Sequence, residues 1–282
     1  MPLTLAQWSQ TSELPALEAR MLLAHVLQVT PAWVIAHDEV TLDEMLKHRF
    51  DALATRRRRG EPMAYLVGEK EFWGMTFRVT PDVLIPRPDT ETLVETALRY
   101  LPAEREARVL DLGTGSGAVA IAMACERPHA RFWATDVSAA ALRLAEENAM
   151  RLLQQDASRI AWCLSDWFAA FPEPQQASEQ FSVIVSNPPY IAQADTHLDE
   201  GDVRFEPRGA LVGGALGWEA LQTIARQAPS YLQPGGVLLM EHGYDQSDVV
   251  KALLREAGFT QCETVCDLAG VPRVTLGGMN SL

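Results

Sequence analysis

The sequence predicts an α/β protein in which a mostly parallel sheet follows a small helical domain and a β-hairpin. After residue 107, short apolar runs alternate with stretches of helical composition. Such alternation is typical of βαβ units, which place parallel strands in one sheet and helices on both of its faces. Before residue 70 the apolar residues recur only at helical spacing, so this part is predicted to be a separate helical domain.

The first 68 residues (1–68) are predicted to form the helical domain. In "LPALEARMLLAHVLQV", Leu14, Leu17 and Met21 recur on one stripe of a helix, with further leucines beside it. The residues themselves do not indicate a function for this domain.

The run "RRRRG" at 56–60 is the candidate for a basic patch. It closes a second predicted helix, which we expect to begin at a capping box of Thr41 and Glu44. Arginines in a last turn favour the helix dipole and Gly60 can end a helix, so a helix-end role is favoured over a binding role. The net charge of −13 opposes stable binding to a phosphate backbone, so no direct nucleic-acid partner is expected.

Residues 69–88 are predicted to be a β-hairpin linker. In "EFWGMTFRVT" the apolar period changes to two around a turn at Gly74. "VLIPRPDTE" then interrupts the chain with two prolines and starts a helix, with Asp89 or Thr90 as its cap. The α/β domain, to which the motifs below assign catalysis, is predicted to cover 89–282.

Composition indicates a soluble globular protein, with 48% hydrophobic and 22% charged residues. No apolar run approaches the length needed to cross a bilayer, and the amino terminus lacks the pattern of a signal peptide. The four cysteines and six histidines show no spacing typical of a disulfide framework or a metal site. These features predict a cytoplasmic protein without a metal or a membrane partner.

The catalytic domain contains seven runs typical of strands: "RVLDL", "ARFWATD", "RIAWCL", "FSVIVSN", "GGVLLMEH", "GFTQCETV" and "RVTLGG". Ligands of such sheets bind outside the carboxyl ends of the strands, and the motifs that could carry chemistry fall at those ends.

A glycine turn follows the first of these strands in "RVLDLGTGSGAVAIA". Gly113, Gly115 and Gly117 allow positive φ values and close backbone approach, a pattern that many nucleotide sites share. Asp111 precedes the turn, where its charge would repel a pyrophosphate but suit an ammonium and a sulfonium. Asp136 ends the next strand, where a carboxylate can accept both ribose hydroxyls. Without a Walker lysine, this pattern favours S-adenosylmethionine over NAD or ATP.

Two alternatives remain open beside this interpretation. Asp136 could instead cap the following helix, although Ser138 is the better cap. In "CLSDWF", Asp166 could accept the adenine amino group and Trp167 could pack on the purine, or the pair could be a capping aspartate and a core tryptophan.

The loop "SNPPYI" follows a buried strand and carries the predicted catalytic chemistry. A planar NH₂ group needs two acceptors to hold it, and Asn187 offers its side-chain oxygen while Pro188 offers a carbonyl. The two prolines hold that carbonyl rigidly before substrate arrives, and Tyr190 can lie against the flat group and exclude water. The alternative is a turn that merely closes a strand.

With these motifs, the sequence resembles the protein-(glutamine-N5) methyltransferases that modify class I peptide chain release factors. The resemblance rests on "LIPRPDTE", "LDLGTGSGA", "SDWF", "VSNPPYI", "HLDEGDVRFEPRGAL" and "PGGVLLMEHG". It implies a Rossmann-like class I fold with a seven-stranded mixed sheet, whose antiparallel strand would be "RVTLGG". It also implies methylation of the glutamine in a Gly-Gly-Gln loop, which tunes translation termination, and an amino-terminal domain that helps to dock the release factor.

Together, the residues and the resemblance predict the site. The predicted cofactor contacts are Gly113, Thr114, Gly115, Ser116, Gly117, Asp136, Asp166, Trp167 and Asn187. The predicted catalytic residues are Asn187, Pro188 and Tyr190, joined at the substrate by Pro189 and Arg87.

Some residues near these motifs permit two interpretations. Arg87 could line the mouth of the site or only pair with Asp89 or Glu91. The segment 205–207 could form a lid over the peptide or a plain surface loop. The pair Glu241–His242 ends a strand near the site but is assigned no catalytic role, because a methylated amide is acidic enough to lose its proton to water.

Two rival functions are weighed against this one. A DNA adenine methyltransferase would use the same Asn-Pro-Pro-Tyr loop for a flipped base, but it would normally need a basic surface. A non-catalytic S-adenosylmethionine-binding adaptor is also compatible with the fold, although the intact Asn187 and Tyr190 argue against it.

Overall fold

Helical periodicity gives way to strand alternation near residue 70, and the folded chain divides at the same place. The computed structural model describes residues 3–280. The chain forms two compact units, one of Met1–Glu69 with Asp199–Phe205 and one of Lys70–Leu198 with Glu206–Leu282. The smaller unit therefore includes seven residues that lie far along the chain from its helices.

The described residues of the smaller unit form five α-helices: α1 (Leu5–Thr11), α2 (Ala16–Leu27), α3 (Pro31–Ala36), α4 (Glu44–Arg58) and α5 (Met63–Val67). Its core contains Leu22 and Leu23 of α2 together with Phe50 of α4, all fully buried. The predicted stripe on α2 is wrong, since Leu17 is 66% exposed. Apolar residues occupy more than one face of α2, so spacing alone could not select the face that packs.

The predicted cap of α4 is also wrong. Asp43 is the N-cap, and its Oδ1 accepts a hydrogen bond of 2.8 Å from the Leu46 amide. A carboxylate one residue before the helix satisfies a first-turn amide, which leaves Thr41 to form a bridge with Thr4.

The arginine run ends α4, as predicted. The helix finishes at Arg58, and Gly60 takes a φ of 95°. Arg57 donates two hydrogen bonds of 2.8 Å to Glu18 and one of 3.4 Å to Asp202. Because these bonds engage Arg57 within its own unit, the observed role of this arginine is structural.

The β-hairpin also forms as predicted, from β1 (Glu69–Phe72) and β2 (Met75–Arg78). Trp73 and Gly74 connect the strands with φ values of 53° and 67°. Two consecutive positive φ values define a type I′ turn, whose twist matches that of the strands it joins.

The larger unit contains a seven-stranded mixed sheet in the order β5-β4-β3-β6-β7-β9-β8. Its strands are β3 (Arg108–Leu112), β4 (Arg131–Asp136), β5 (Ile160–Leu164), β6 (Phe181–Ser186), β7 (Leu232–Glu241), β8 (Thr260–Cys266) and β9 (Pro272–Gly278). Strand β9 is antiparallel to both of its neighbours, and the other neighbouring strands pair in parallel. This confirms the predicted sheet, including the assignment of "RVTLGG" to the antiparallel strand.

Helices cover both faces of the sheet, because successive residues of a strand point to opposite sides. They are α6 (Glu91–Leu98), α7 (Ala118–Glu126), α8 (Ala139–Leu153), α10 (Glu219–Tyr231) and α11 (Ser247–Glu256), while the short α9 (Arg208–Leu211) lies in the loops. Val109 packs in an apolar core with residues of α6 and α7, whereas Leu110 packs in a second core with residues of α10 and α11. The helices thus leave the carboxyl edge of the parallel strands to the loops.

Candidate active site

A cavity of about 350 Å³ lies in the larger unit, at the carboxyl ends of β3, β4 and β6. Ten predicted site residues line it: Arg87, Gly113, Thr114, Gly115, Ser116, Asp136, Asp166, Trp167, Asn187 and Pro189. Gly117, Pro188 and Tyr190 do not line the cavity. Sequence reasoning missed a second set of lining residues, which includes Pro81, Val83, Leu84, Val137 and Ala210.

The glycine turn has the backbone that its residues predict, with positive φ at Gly113, Gly115 and Gly117. Gly117 is needed for packing, because an added Cβ would lie 2.9 Å from Ile121 Cδ1 and 3.1 Å from Ala145 Cβ. It therefore lets α7 approach α8 closely at the base of the turn.

A buried asparagine of α8 fixes the other side of this turn. The Asn148 Nδ2 donates hydrogen bonds of 3.0 Å to the carbonyls of Ser116 and Arg78, and its Oδ1 accepts one of 2.8 Å from the Arg78 amide. Its position within an apolar helix pattern gave no signal of this role, which depends on where β2 lies in the fold.

Two acidic side chains lie at this end of the cavity. Asp136 accepts hydrogen bonds of 2.9 Å from the Gly115 amide and 2.8 Å from the Ser138 amide, while Ser138 caps α8. Asp111 is buried, and burial raises its pKa to about 7 against the opposing effect of a 2.7 Å hydrogen bond from Thr114. Burial also raises the pKa of Asp136. Both carboxylates would be stabilised by a cationic ligand.

Trp167 follows β5 in a left-handed conformation, with a φ of 48°. The Ser165 Oγ donates a hydrogen bond of 2.8 Å to the Trp167 carbonyl and accepts one of 2.9 Å from the Ala170 amide. These two bonds stabilise the tight turn. The Trp167 ring lies beside Gly113, where an added Cβ would be 3.6 Å from its Cζ3. Asp166 is exposed at the cavity.

The chain leaves β6 at Ser186, whose Oγ donates a 2.8 Å hydrogen bond to the Leu112 carbonyl of β3. The next residue, Asn187, donates through Nδ2 to Thr90 Oγ1 at 3.2 Å. Its Oδ1 is buried and has no hydrogen-bond partner among the described residues. A buried acceptor without a donor is costly and points to a ligand that supplies one.

A hydrogen bond and a close backbone contact fix the rest of the loop at the Tyr190 carbonyl. The Tyr190 carbonyl accepts a 3.0 Å hydrogen bond from Gln246 Nε2, and an added Cβ at Gly217 would lie 2.8 Å from the same carbonyl. The Tyr190 ring packs against the apolar core, and Pro188 is buried. The structure therefore accounts for the rigidity of the loop, while an acceptor role for the Pro188 carbonyl stays a prediction.

A buried carboxylate lies beside the Tyr190 hydroxyl. Glu241 is 1% exposed, its Oε1 lies 3.5 Å from the Tyr190 hydroxyl, and its Oε2 has no partner among residues 3–280. Burial raises its pKa to about 7, against the charge of Arg273, which lowers it. Arg273 itself forms a 2.8 Å ion pair with Asp89.

Of the two alternatives left open for Arg87, the structure shows that it lines the cavity, and it does not pair with Asp89 or Glu91. It donates a 2.6 Å hydrogen bond to Glu206 Oε2, and the Glu206 side chain is fully buried. Glu206 Oε1 also accepts a hydrogen bond of 3.2 Å from the Ile85 amide. Asp89 is instead paired with Arg273, and the buried carboxylate of Glu206 is the partner of Arg87. Glu206 is therefore not part of a plain surface loop, although sequence alone left that alternative open.

Comparison with known proteins agrees with this geometry. Residues 5–68 match the family profile "PrmC N-terminal domain", and residues 89–203 match "Methyltransferase small domain". The fold is similar to that of a methyltransferase from Pyrococcus furiosus, with a TM-score of 0.54, 19% identity, and coverage of 81% of this chain and 98% of that one. The fold and the site define a class I methyltransferase, which takes its methyl group from S-adenosylmethionine.

Curated relatives identify the group within this class. The release factor glutamine methyltransferase of Bordetella pertussis is 52% identical over 94% of this chain and 95% of its own length. That of Burkholderia pseudomallei is 48% identical over 98% of this chain and 96% of its own length. The chain belongs to the release factor glutamine methyltransferase family.

Within the described residues no group of histidine, cysteine, aspartate and glutamate is arranged to hold a metal ion. In the same part of the chain, no helix is long and apolar enough to span a membrane.

Proposed function

We propose that this chain transfers a methyl group from S-adenosylmethionine to the N5 amide nitrogen of the glutamine in the Gly-Gly-Gln motif of class I release factors. The reaction would occur in the cytoplasm, where it tunes translation termination. The observation that carries the proposal is the buried Asn187 Oδ1, which has no hydrogen-bond partner in the described part of the chain and lies beside a cavity with two acidic residues at its other end.

The glycine turn, Asp136, Asp166 and Trp167 would hold the cofactor. S-adenosylmethionine carries an ammonium and a sulfonium, and the buried Asp111 and Asp136 are carboxylates that such charges would stabilise. When bound, the cofactor supplies an electrophilic methyl group. The chain's own contribution is to present the acceptor nitrogen to it in line.

Asn187 would accept one hydrogen of the glutamine NH₂ through Oδ1, and the Pro188 carbonyl would accept the other. These bonds draw electron density toward a nitrogen whose lone pair is delocalised into the amide, so they assist its attack. Pro189 lines the cavity beside Asn187, and Tyr190 supports the loop from the core. The methylated amide then loses its extra proton to water.

The smaller unit would help to dock the release factor, as its match to the amino-terminal domain of the family supports. Arg87, held by Glu206 at the cavity, would contact the substrate peptide. No direct contact with nucleic acid is proposed, because the chain carries a net charge of −13.

Mass spectrometry of a purified release factor tests the proposal directly. After incubation with the protein and S-adenosylmethionine, we expect one added methyl group on the glutamine of the Gly-Gly-Gln peptide. Duplex DNA incubated in parallel should stay unmodified. Methylation of adenine with no change in the release factor would favour the rival function instead.

A further inference from the structure

A single buried carboxylate joins two segments that line the cavity. Glu206 directly precedes the segment 207–210, which contributes lining residues. Its Oε1 accepts a hydrogen bond of 3.2 Å from the Ile85 amide, and its Oε2 accepts one of 2.6 Å from Arg87 Nη2. Both donors belong to the segment 81–87, which supplies another part of the lining. The Glu206 side chain therefore fixes these two segments to each other.

Arg87 is held at its backbone and at its guanidinium. It lies between Pro86 and Pro88, whose rings fix their own φ and restrict the residue that precedes each of them. The Arg87 backbone is extended, with a φ of −100° and a ψ of 142°. Its guanidinium is bonded to Glu206, which leaves the side chain little freedom to lose when a ligand binds.

The two members of this ion pair differ in their exposure. The Glu206 side chain is fully enclosed, whereas that of Arg87 is 33% exposed and lines the cavity. Removal of a carboxylate from water is costly, and an apolar replacement of a buried ion pair is often as stable. A guanidinium has five N–H donors, and the bond to Glu206 uses one of them. The pair is thus better suited to presenting an arginine at the cavity than to stabilising the fold.

The remaining donors of Arg87 suit the backbone of the substrate peptide. The two residues before the glutamine of a Gly-Gly-Gln motif have no side chains, so a protein can bind them only through backbone groups. A guanidinium donates hydrogen bonds and accepts none, so it would bond their carbonyl oxygens. The Arg87–Glu206 pair carries no net charge, which suits an uncharged segment of this kind.

We propose that Glu206 is a positioning residue, which holds Arg87 so that its guanidinium binds a backbone carbonyl of the Gly-Gly-Gln segment. The proposal rests on the function proposed above and adds a determinant of substrate recognition to it. Glu206 does not touch the substrate in this scheme. Its effect reaches the substrate through Arg87, so the loss of either residue should impair substrate binding more than the transfer step.

The first test separates these two effects at saturating S-adenosylmethionine. Arg87→Ala removes the donors, and KM for a purified class I release factor should rise by about 10- to 100-fold, the range for lost hydrogen bonds to a charged group. Glu206→Gln keeps the shape but loses the charge that holds Arg87, so KM should rise by at least about fivefold. Because the reacting groups are untouched, kcat should stay within about threefold of the wild type in both variants. Calorimetry should find the dissociation constant of the cofactor unchanged within about threefold.

The second test asks whether Glu206 acts through Arg87. In an Arg87→Ala background no guanidinium is left to position, so adding Glu206→Gln should change KM by less than about twofold. If Glu206 instead supported the cavity through the Ile85 amide alone, its effect on KM would be equally large in both backgrounds. That result would overturn the positioning role.

The double variant also protects the test against misfolding. Arg87→Ala alone leaves a buried carboxylate without its partner, which can destabilise the fold. The double variant removes that charge, and its KM should show the same increase as Arg87→Ala. Thermal unfolding checks that each variant is folded.

The matched control is an exposed ion pair of α6. Arg99 and Glu95 lie 2.8 Å apart, with side chains that are 56% and 61% exposed. Arg99→Ala and Glu95→Gln should each leave KM and kcat within about twofold of the wild type, as is usual for exposed pairs.

Two further results would overturn the proposal. One is a KM within about twofold of the wild type in both Arg87→Ala and the double variant. The other is a loss of kcat with unchanged KM, which would place the effect in the transfer step instead of substrate binding. In either case the wild type still methylates release factor, and the proposed function stands. A wild-type protein that leaves the release factor unmodified would overturn the proposed function, and this proposal with it.

Discussion

The two ends of the cavity are built in different ways. At the cofactor end, the Asp136 carboxylate accepts hydrogen bonds from backbone amides, those of Gly115 and Ser138. At the acceptor end, Asn187 bonds a side chain from a distant part of the chain, the hydroxyl of Thr90. The difference teaches that one end of the cavity is fixed largely by backbone groups, whereas the other depends on a side-chain contact between distant parts of the chain.

If this comparison is correct, the largest single effect should come from the acceptor end. Asn187→Ala removes the oxygen that would hold the substrate NH₂, and kcat should fall by about 10²- to 10³-fold. The dissociation constant of the cofactor should change by less than about tenfold. Steady-state methyl transfer and calorimetry measure the two quantities.

Gln193→Ala is a suitable control for this variant, because Gln193 is exposed six residues further along the same segment. It should turn over at the wild-type rate. If Asn187→Ala retained full kcat, the acceptor role would be wrong and a non-catalytic adaptor would gain support.

The next effect belongs to the cofactor end and should appear in binding. Asp136→Ala removes the carboxylate proposed to accept the ribose hydroxyls, which should weaken cofactor affinity by about 1–3 kcal/mol, or about 5- to 150-fold. At saturating cofactor, kcat should stay within a few fold of the wild type. If calorimetry finds an unaltered affinity for the cofactor, Asp136 does not bind the ribose. The two ends of the cavity would then not differ in the way described above.

The smallest effect is a pH dependence of cofactor binding. Burial raises the pKa of Asp111 to about 7, so below that pH the carboxyl is largely protonated in the free protein. A cationic cofactor favours the ionised form, so its affinity should fall as the pH drops below about 7, by at most about tenfold per pH unit. Asp111→Asn should abolish this slope between pH 5.5 and 8. The same slope in the variant would assign the titration to another group.

Much of the fold could be predicted because its signals are local. The alternation of apolar runs predicted the seven strands of the sheet, and the glycine turn predicted three positive φ values at the correct positions. Predictions from local sequence patterns were wrong where two local structures were similar in energy. The exposed Leu17 shows this for the face of α2, and Asp43 shows it for the cap of α4.

The supporting residues of the site could not be predicted in this way. Glu206 meets Arg87 across more than a hundred residues of chain, and Asn148 meets the carbonyl of Ser116 only because α8 packs below the glycine turn. These partners are chosen by tertiary packing, and a single sequence carries no periodic signal for them. Thr90 was considered only as a helix cap, because its meeting with Asn187 depends on the position of β6.

The most direct test of the account is a crystal structure with S-adenosylhomocysteine and a glutamine peptide bound. We expect the glutamine N5 atom to lie within about 3.2 Å of both Asn187 Oδ1 and the Pro188 carbonyl oxygen, with Asn187 Nδ2 still bonded to Thr90. An Asn187 amide flipped away from the glutamine, or a glutamine nitrogen bound elsewhere in the cavity, would contradict the account.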